Sequence, residues 1–369
     1  MRLLFVAALA STLIACGEVW NDPYPAADRG RDILYTAFVD RPKHLDPVQS
    51  YTEDEARFTQ QIYEPPLQYH YLKEPYTLVP LTAQEMPVVR RIGTPSGAVS
   101  IYEIRIRRGI RYQPHPAFAR DAAGRFHYHA LPPETIARLR SPYALRAQDS
   151  RELLADDYIY QIKRLAHPRL HSPIFGLMAQ YIVGLEAFAG RLKAADEALV
   201  AARGPEAWLD LREIPLEGVE RVDPHTFRIR LKGHYPQFRY WLAMPFFAPM
   251  PWEAERFFHQ SGMARRNFTL DWWPVGTGPF LLAENDPNAR MVLARNPNFR
   301  GEPYPREGAA GDAAAGLLAD AGKAMPFIDR VVFTLEKESI PYWNKFLQGY
   351  YDFSGISSDN FDQAVRVSV

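Results

Sequence analysis

The sequence has a single cysteine, Cys16, among 369 residues. That excludes an intramolecular disulfide and any zinc site built on several thiolates. It has no surplus of either charge, with Lys plus Arg and Asp plus Glu both at 43. No net field therefore points to nucleic acid or to an anionic membrane surface. Beyond Ala15 no run reaches the roughly 18 consecutive apolar residues that cross a bilayer. Catalytic signatures are missing as well. There is no Gly-x-Ser-x-Gly elbow and no His-Glu-x-x-His helix. His167 and His171 are four apart, but Pro168 between them breaks the helix that would align them. His127 and His129 could share a strand face, yet no acidic or cysteine partner stands nearby. Gly276-Thr277-Gly278 lacks the third glycine of a dinucleotide fingerprint and the lysine of a phosphate loop, so its glycines read as serving turn geometry rather than ligand contact. Asp156-Asp157 reads as a helix start, with acids at the positive end of the dipole.

What is present is proline and aromatic surface. There are 32 prolines, 20 tyrosines, 21 phenylalanines and 7 tryptophans. Rigid connections and rings that offer contact area at little entropic cost suit a binding cleft. With 47% hydrophobic and 23% charged residues the chain is an ordinary globular one, long enough for two domains. Its beginning is different. Arg2 supplies a positive charge, and Leu3 to Ala15 is apolar apart from Ser11 and Thr12. That run is too short to span a bilayer and reads as a signal peptide over residues 1–15. Leu13-Ile14-Ala15-Cys16 resembles the lipobox of bacterial lipoproteins. The resemblance implies cleavage before Cys16, acylation of that cysteine and a lipid anchor to the cell-envelope membrane. Residues 16–31 then read as a polar tether.

Behind the tether, strands and helices alternate without internal repeats, which predicts an α/β fold. Asp32 to Val39 reads as a buried strand, followed by an irregular loop with Pro42 and Pro47. Thr52 with Glu55 three residues on predicts a capped helix through Ile62-Tyr63. Val99 to Arg107 alternates cleanly, with Ser100, Tyr102, Ile104 and Ile106 on one face. Residues 112–150 read as a surface insertion. Asp156 to Leu165 reads as a helix, and Pro173 to Arg203 as a long helical stretch broken at Gly184 and Gly190. Val219–Asp223 and Thr226–Leu231 predict a hairpin. Met291–Ala294 and Arg330–Leu335 read as strands, with a surface excursion over 308–323 between them. Asn344–Gln348 reads as a short helix and Tyr351–Ser354 as a strand.

Several segments in fixed order carry a resemblance. They are Leu45-Asp46-Pro47, Ile62-Tyr63-Glu64-Pro65-Pro66-Leu67, Leu78 to Ala83 and Arg107-Arg108-Gly109-Ile110-Arg111-Tyr112. Gly218 to Asp223, Pro274 to Phe280, Arg295 to Phe299, Ile328 to Phe333 and Gly349 to Asp352 follow. In this order they are similar to the family 5 extracellular solute-binding proteins, the peptide-binding subunits of ABC importers. The match departs at Gln113-Pro114-His115-Pro116, which stands where the family has His-Asp-Gly.

The resemblance implies a periplasmic-binding-protein type II-like clamp of two lobes. The expected layout is a first-lobe core from 32–47 and 171–335, and a subdomain inserted at 48–170. A hinge near Leu335 to Ser339 and the start of a truncated second lobe fill 336–369. The implied function is capture of peptides in the periplasm for import, with permease and ATPase subunits as partners and no cofactor. Phe38, Val39 and Asp40 are expected at the cleft, with Phe246, Phe247 and Trp273 as aromatic walls. No residue is assigned to the peptide amino terminus, because that role falls in the second lobe of family members. The alternatives are the same fold holding nickel, haem or a sugar, and a periplasmic hydrolase.

Overall fold

A computed structural model of the chain describes residues 23–95 and 97–365. The expected signal peptide, Cys16 and the first part of the tether lie outside the described residues. Among those described, the strands are β1 (Ile33–Phe38), β2 (Leu67–Tyr69), β3 (Leu78–Pro80), β4 (Val88–Thr94), β5 (Gly97–Arg105), β6 (Val219–Asp223), β7 (Thr226–Lys232), β8 (Phe280–Asp286), β9 (Arg290–Arg295), β10 (Glu302–Pro303), β11 (Ala324–Met325) and β12 (Arg330–Leu335).

Two four-stranded sheets carry the fold. The first has the order β1-β12-β9-β8, with β1 parallel to β12 and the other pairs antiparallel. The second has the order β4-β5-β7-β6 and is antiparallel throughout. Its inner face follows from period-2 alternation. Ser100, Tyr102 and Ile104 of β5 stand opposite Leu231, Ile229 and Phe227 of β7, and all six are buried. The second sheet thus joins strands from the segment expected to be inserted and from the segment expected to be core.

One helix ties the sheets to the loop after β1. Thr52 caps the helix Glu53–Ile62 in a complete capping box with Glu55. Its apolar face places Phe58 against Phe38, ring centroids 6.3 Å apart, and against Phe333 at 4.5 Å. A second helix, Ala155–Arg164, ends in the most deeply buried cation among the described residues. Arg164 is 1% exposed. It donates to both carboxylate oxygens of Asp46 at 2.9 and 2.6 Å, and to Glu255 at 2.7 Å. Buried charges need such partners, because an uncompensated one costs several kcal/mol. Arg151 repeats the device, donating to Asp157 and Glu253 over distances of 2.6 to 2.8 Å.

The structure differs from expectation at five points. Tyr112, Gln113, His115, Ala117 and Phe118 are buried, so the surface insertion begins only after them. Gln113 is held in place by donating to the Tyr143 hydroxyl and by accepting from the Gly276 amide. Gly190 does not break its helix, which runs from Leu185 to Arg203, whereas Gly184 precedes it in the left-handed region at φ 72°. The helix expected over Asn344–Gln348 starts earlier, at Ser339, with Pro341 accommodated in its first turn. Tyr351–Ser354 is not a strand. Asp352 donates its amide to the Tyr35 carbonyl, but its own carboxylate takes the Tyr35 amide that a ladder would use. Finally, Gly276 and Gly278 answer to close approach rather than to turn geometry. A Cβ at Gly276 would lie 1.9 Å from the Ile62 carbonyl oxygen, and one at Gly278 2.5 Å from that of Gln61.

Candidate functional site

The parallel strands β1 and β12 leave the first sheet at the same end. The Glu336 amide donates to the Phe38 carbonyl at 3.0 Å, which holds the two exits side by side. From there the chain diverges. Residues 39–47 turn toward the start of helix Glu53–Ile62, and residues after 336 turn into helix Ser339–Leu347. The gap between them is a crevice at the carboxyl ends of sheet strands, the place where α/β sheets bind ligands. One part of it, about 610 Å³, has Val39 and Arg57 on one side and Tyr342 and Phe353 to Ile356 on the other. A larger part, about 840 Å³, is lined by Asp40 to His44, Asp54 and Trp272.

Glu55 fixes the near wall. Its carboxylate accepts from the amides of Lys43, His44, Tyr51 and Thr52 at 2.9 to 3.2 Å. Burial alone would raise its pKa, but these backbone donors outweigh burial and hold it below the ordinary glutamate value. Asp54, next to it, is pushed the other way, by burial first and by the neighbouring Asp40, Glu53 and Glu55, with Arg57 opposing. Arg57 bridges the wall, with its guanidinium 3.6 Å from Glu53 and donating at 3.5 Å to the Ala37 carbonyl. On the far wall, the Tyr342 hydroxyl donates to the Phe353 carbonyl and the Ser339 hydroxyl to Asp359.

The backbone of the crevice is open. Among the described residues, neither the amide nor the carbonyl of Val39 has a hydrogen-bond partner, and the amides of Ser354, Gly355 and Ile356 have none. Val39 itself is 42% exposed. Unpaired backbone donors and acceptors on both sides of a crevice can take main-chain hydrogen bonds from another chain.

The residues expected at the site separate. Val39 and Asp40 stand on the crevice walls. Phe38 is buried beneath them against Phe58. Phe246, Phe247 and Trp273 are buried in the core. Phe246 packs near Trp241, Phe247 edge-on to Phe238, and Trp273 edge-on to Tyr143. It is the neighbouring Trp272 that reaches the crevice. Arg57 and the stretch Phe353 to Ile356 were not anticipated. The capping box, which fixes the orientation of the helix, offered a signal for Arg57. Nothing in the sequence marked the second. Among the described residues no group of three or more His, Cys, Asp or Glu gathers to hold a metal ion. No helix of the described residues is long and apolar enough to cross a membrane.

Comparison with solved structures gives the same fold repeatedly. The chain is similar to the pheromone receptor PrgZ, solved for its mode of peptide binding, with a TM-score of 0.57 and 14% identity over 90% of this chain and 48% of that one. It is similar to DppA of Helicobacter pylori, an ABC transporter-associated periplasmic binding protein solved in complex with the peptide STSA. There the TM-score is 0.54 at 16% identity, over 92% of this chain and 50% of that one. The murein tripeptide binding protein MppA of Escherichia coli gives 0.53 at 17% identity, over 91% and 48%. The chain therefore spans about half the length of the solved proteins it matches. None of the curated proteins matches it in sequence. The middle-region model of one family does match, over residues 148–366, more than half of the chain. With the two-sheet architecture and the crevice at the end of β1, this places the protein among the bacterial extracellular solute-binding proteins, family 5.

Proposed function

We propose that the chain is the first lobe, with the entry into the second, of a receptor that captures peptides outside the cytoplasmic membrane and delivers them to an ABC importer. The observation that carries this reading is the open backbone of Val39 facing Ser354 to Ile356 across the crevice. An extended peptide would pair there by main-chain hydrogen bonds, which give affinity with little demand on side-chain identity. Val39 and Asp40 would line one side of it, and the roomy part beyond Asp40 would receive side chains. Leu335 to Ser339 would serve as the hinge on which a second lobe closes. Phe38 supports the wall from beneath, and Phe246, Phe247 and Trp273 act through the core. The resident function is binding and not catalysis. Cys16, once acylated, would tether the receptor beside permease and ATPase subunits in the envelope.

Calorimetric titration of the chain with a mixture of three- to five-residue peptides tests the reading. Saturable binding with Kd of roughly 0.1–1 mM is expected, because half of a clamp buries only part of the ligand. Val39→Pro removes the amide donor and should abolish it. Binding that survives Val39→Pro unchanged, or no binding at all, would overturn the reading.

A further inference from the structure

A second cavity, of about 380 Å³, lies at the other end of the helix Glu53–Ile62, where Gln60 and Gln61 reach it from the last turn. At a rise of about 1.5 Å per residue, this places it on the order of 15 Å from the crevice at the helix start. The β2–β3 hairpin contributes Gln68 and Tyr69, and Tyr71 follows at its tip. Phe299, Glu302 and Phe327 also line it, as do Tyr63 and Phe280.

The charges around this cavity do not cancel. Glu64 at its floor is buried, and Arg300 donates to both of its carboxylate oxygens at 2.7 and 2.9 Å. Lys73, on the hairpin, is paired with Glu307. Glu302 has no such partner. Its Oε1 accepts from the Gln68 side-chain amide, and among the described residues its Oε2 accepts from nothing and no cation lies within ion-pair distance. A half-buried carboxylate thus lines a cavity that six aromatic residues also line, Tyr69, Tyr71, Phe299 and Phe327 among them. Ring faces attract a cation through their quadrupole, and more strongly where water is excluded. An ammonium with free N–H groups needs three acceptors, whereas an alkylated one is satisfied by ring faces and one carboxylate.

From these walls we propose that the cavity is a second ligand site, separate from the peptide crevice, that takes a compact quaternary ammonium compound with its charge against Glu302 and its alkyl groups on Tyr69, Tyr71, Phe299 and Phe327. The volume suits a small organic ligand and not a peptide.

The test uses choline and its uncharged isostere 3,3-dimethylbutan-1-ol, titrated into the whole chain by calorimetry. Choline should bind saturably with Kd of about a millimolar, and the isostere about tenfold more weakly. Glu302→Gln keeps the shape and removes the charge, and should weaken choline by about tenfold without moving the isostere. Tyr71→Leu, an exposed position that leaves the fold intact, should weaken choline as well, and it decides the matter if Glu302→Gln lowers the unfolding midpoint. Equal binding of choline and isostere, equal binding to wild type and both variants, or no saturation by about 50 mM overturns the proposal. Peptide titration of Glu302→Gln should match wild type, so failure of the peptide reading and failure of this one are separable.

Discussion

The chain before Leu335 and the chain after it are held by different means. From Ile33 to Leu335, two sheets and their helices share one continuous apolar core, and charges inside it are fully partnered, as at Arg164 and Arg151. From Glu336 to Val365, only Trp343 and Tyr351 are buried apolar residues, while Ile340, Leu347, Phe353, Ile356 and Phe361 are exposed. This second stretch is fastened at points. Glu336 donates to Phe38, Asp352 exchanges two hydrogen bonds with Tyr35, and Tyr24 donates to the Gly349 carbonyl. A core distributes its energy over many contacts, and a handful of polar ties does not. The first region should therefore unfold as one cooperative unit, and the second should open locally at far lower cost.

The sharpest way to break this comparison is at Arg164. Arg164→Ala leaves Asp46 and Glu255 buried and uncompensated, and should cost about 3–5 kcal/mol in urea unfolding. A loss under about 1 kcal/mol would mean that the buried network is not what sets the first region apart.

Acid gives a smaller, graded effect. Burial lowers His115 to about 3, and His129 and His167 to about 4, from the ordinary 6.5. For each, the unfolded chain binds its proton first, so stability is complete above pH 6.5 and falls as the pH drops toward the folded values. The expected loss is on the order of 1 kcal/mol per pH unit per histidine. Asp271 opposes them. Burial, then Asp46, push it up to about 6, with His44 resisting, so it binds its proton more readily in the fold and adds stability as the pH falls through that value. Of these four groups three lose stability and one gains it, so together they contribute a net loss between pH 6 and 4. His115→Phe should flatten the slope by about one histidine's share, measured by thermal unfolding across that range. None of these groups lies beyond Leu335, so hydrogen exchange in the second region should not follow the same profile.

The smallest effect belongs to the second region. Ile340→Ser, at a side chain 54% exposed, should shift global stability by less than about 0.5 kcal/mol. A larger loss in urea unfolding would show that the two regions share one cooperative unit.

Much of the local structure was legible. The capping box Thr52–Glu55, the alternation through Ile104 and the hairpin at Pro224-His225 each depend on neighbours in sequence, and each formed as read. The site was legible only in part. Val39 and Asp40 follow the first strand wherever that strand is placed. Phe246, Phe247 and Trp273 read equally well as wall or as core, and only packing puts them in the core. The burial of Tyr112 to Phe118 was hidden for a related reason. Pro, His and Gln give no periodic signal, and their partners Tyr143 and Gly276 are distant in the chain.

The sequence by itself determined an α/β chain of one broad family, its capped helix, its alternating strands and the absence of thiol chemistry beyond Cys16. These rest on residue type and short spacing. The tertiary structure decided that β1 pairs in parallel with β12, Ile33 opposite Arg330, and so opened the crevice at their common end. It decided that Gly276 must lack a side chain because the Ile62 carbonyl occupies that space. It also set Glu302 in one cavity with Tyr69, Tyr71, Phe299 and Phe327, with no countercharge in ion-pair reach among the described residues. Each of these is a contact between residues far apart in the chain, and no local pattern encodes where the far partner will stand.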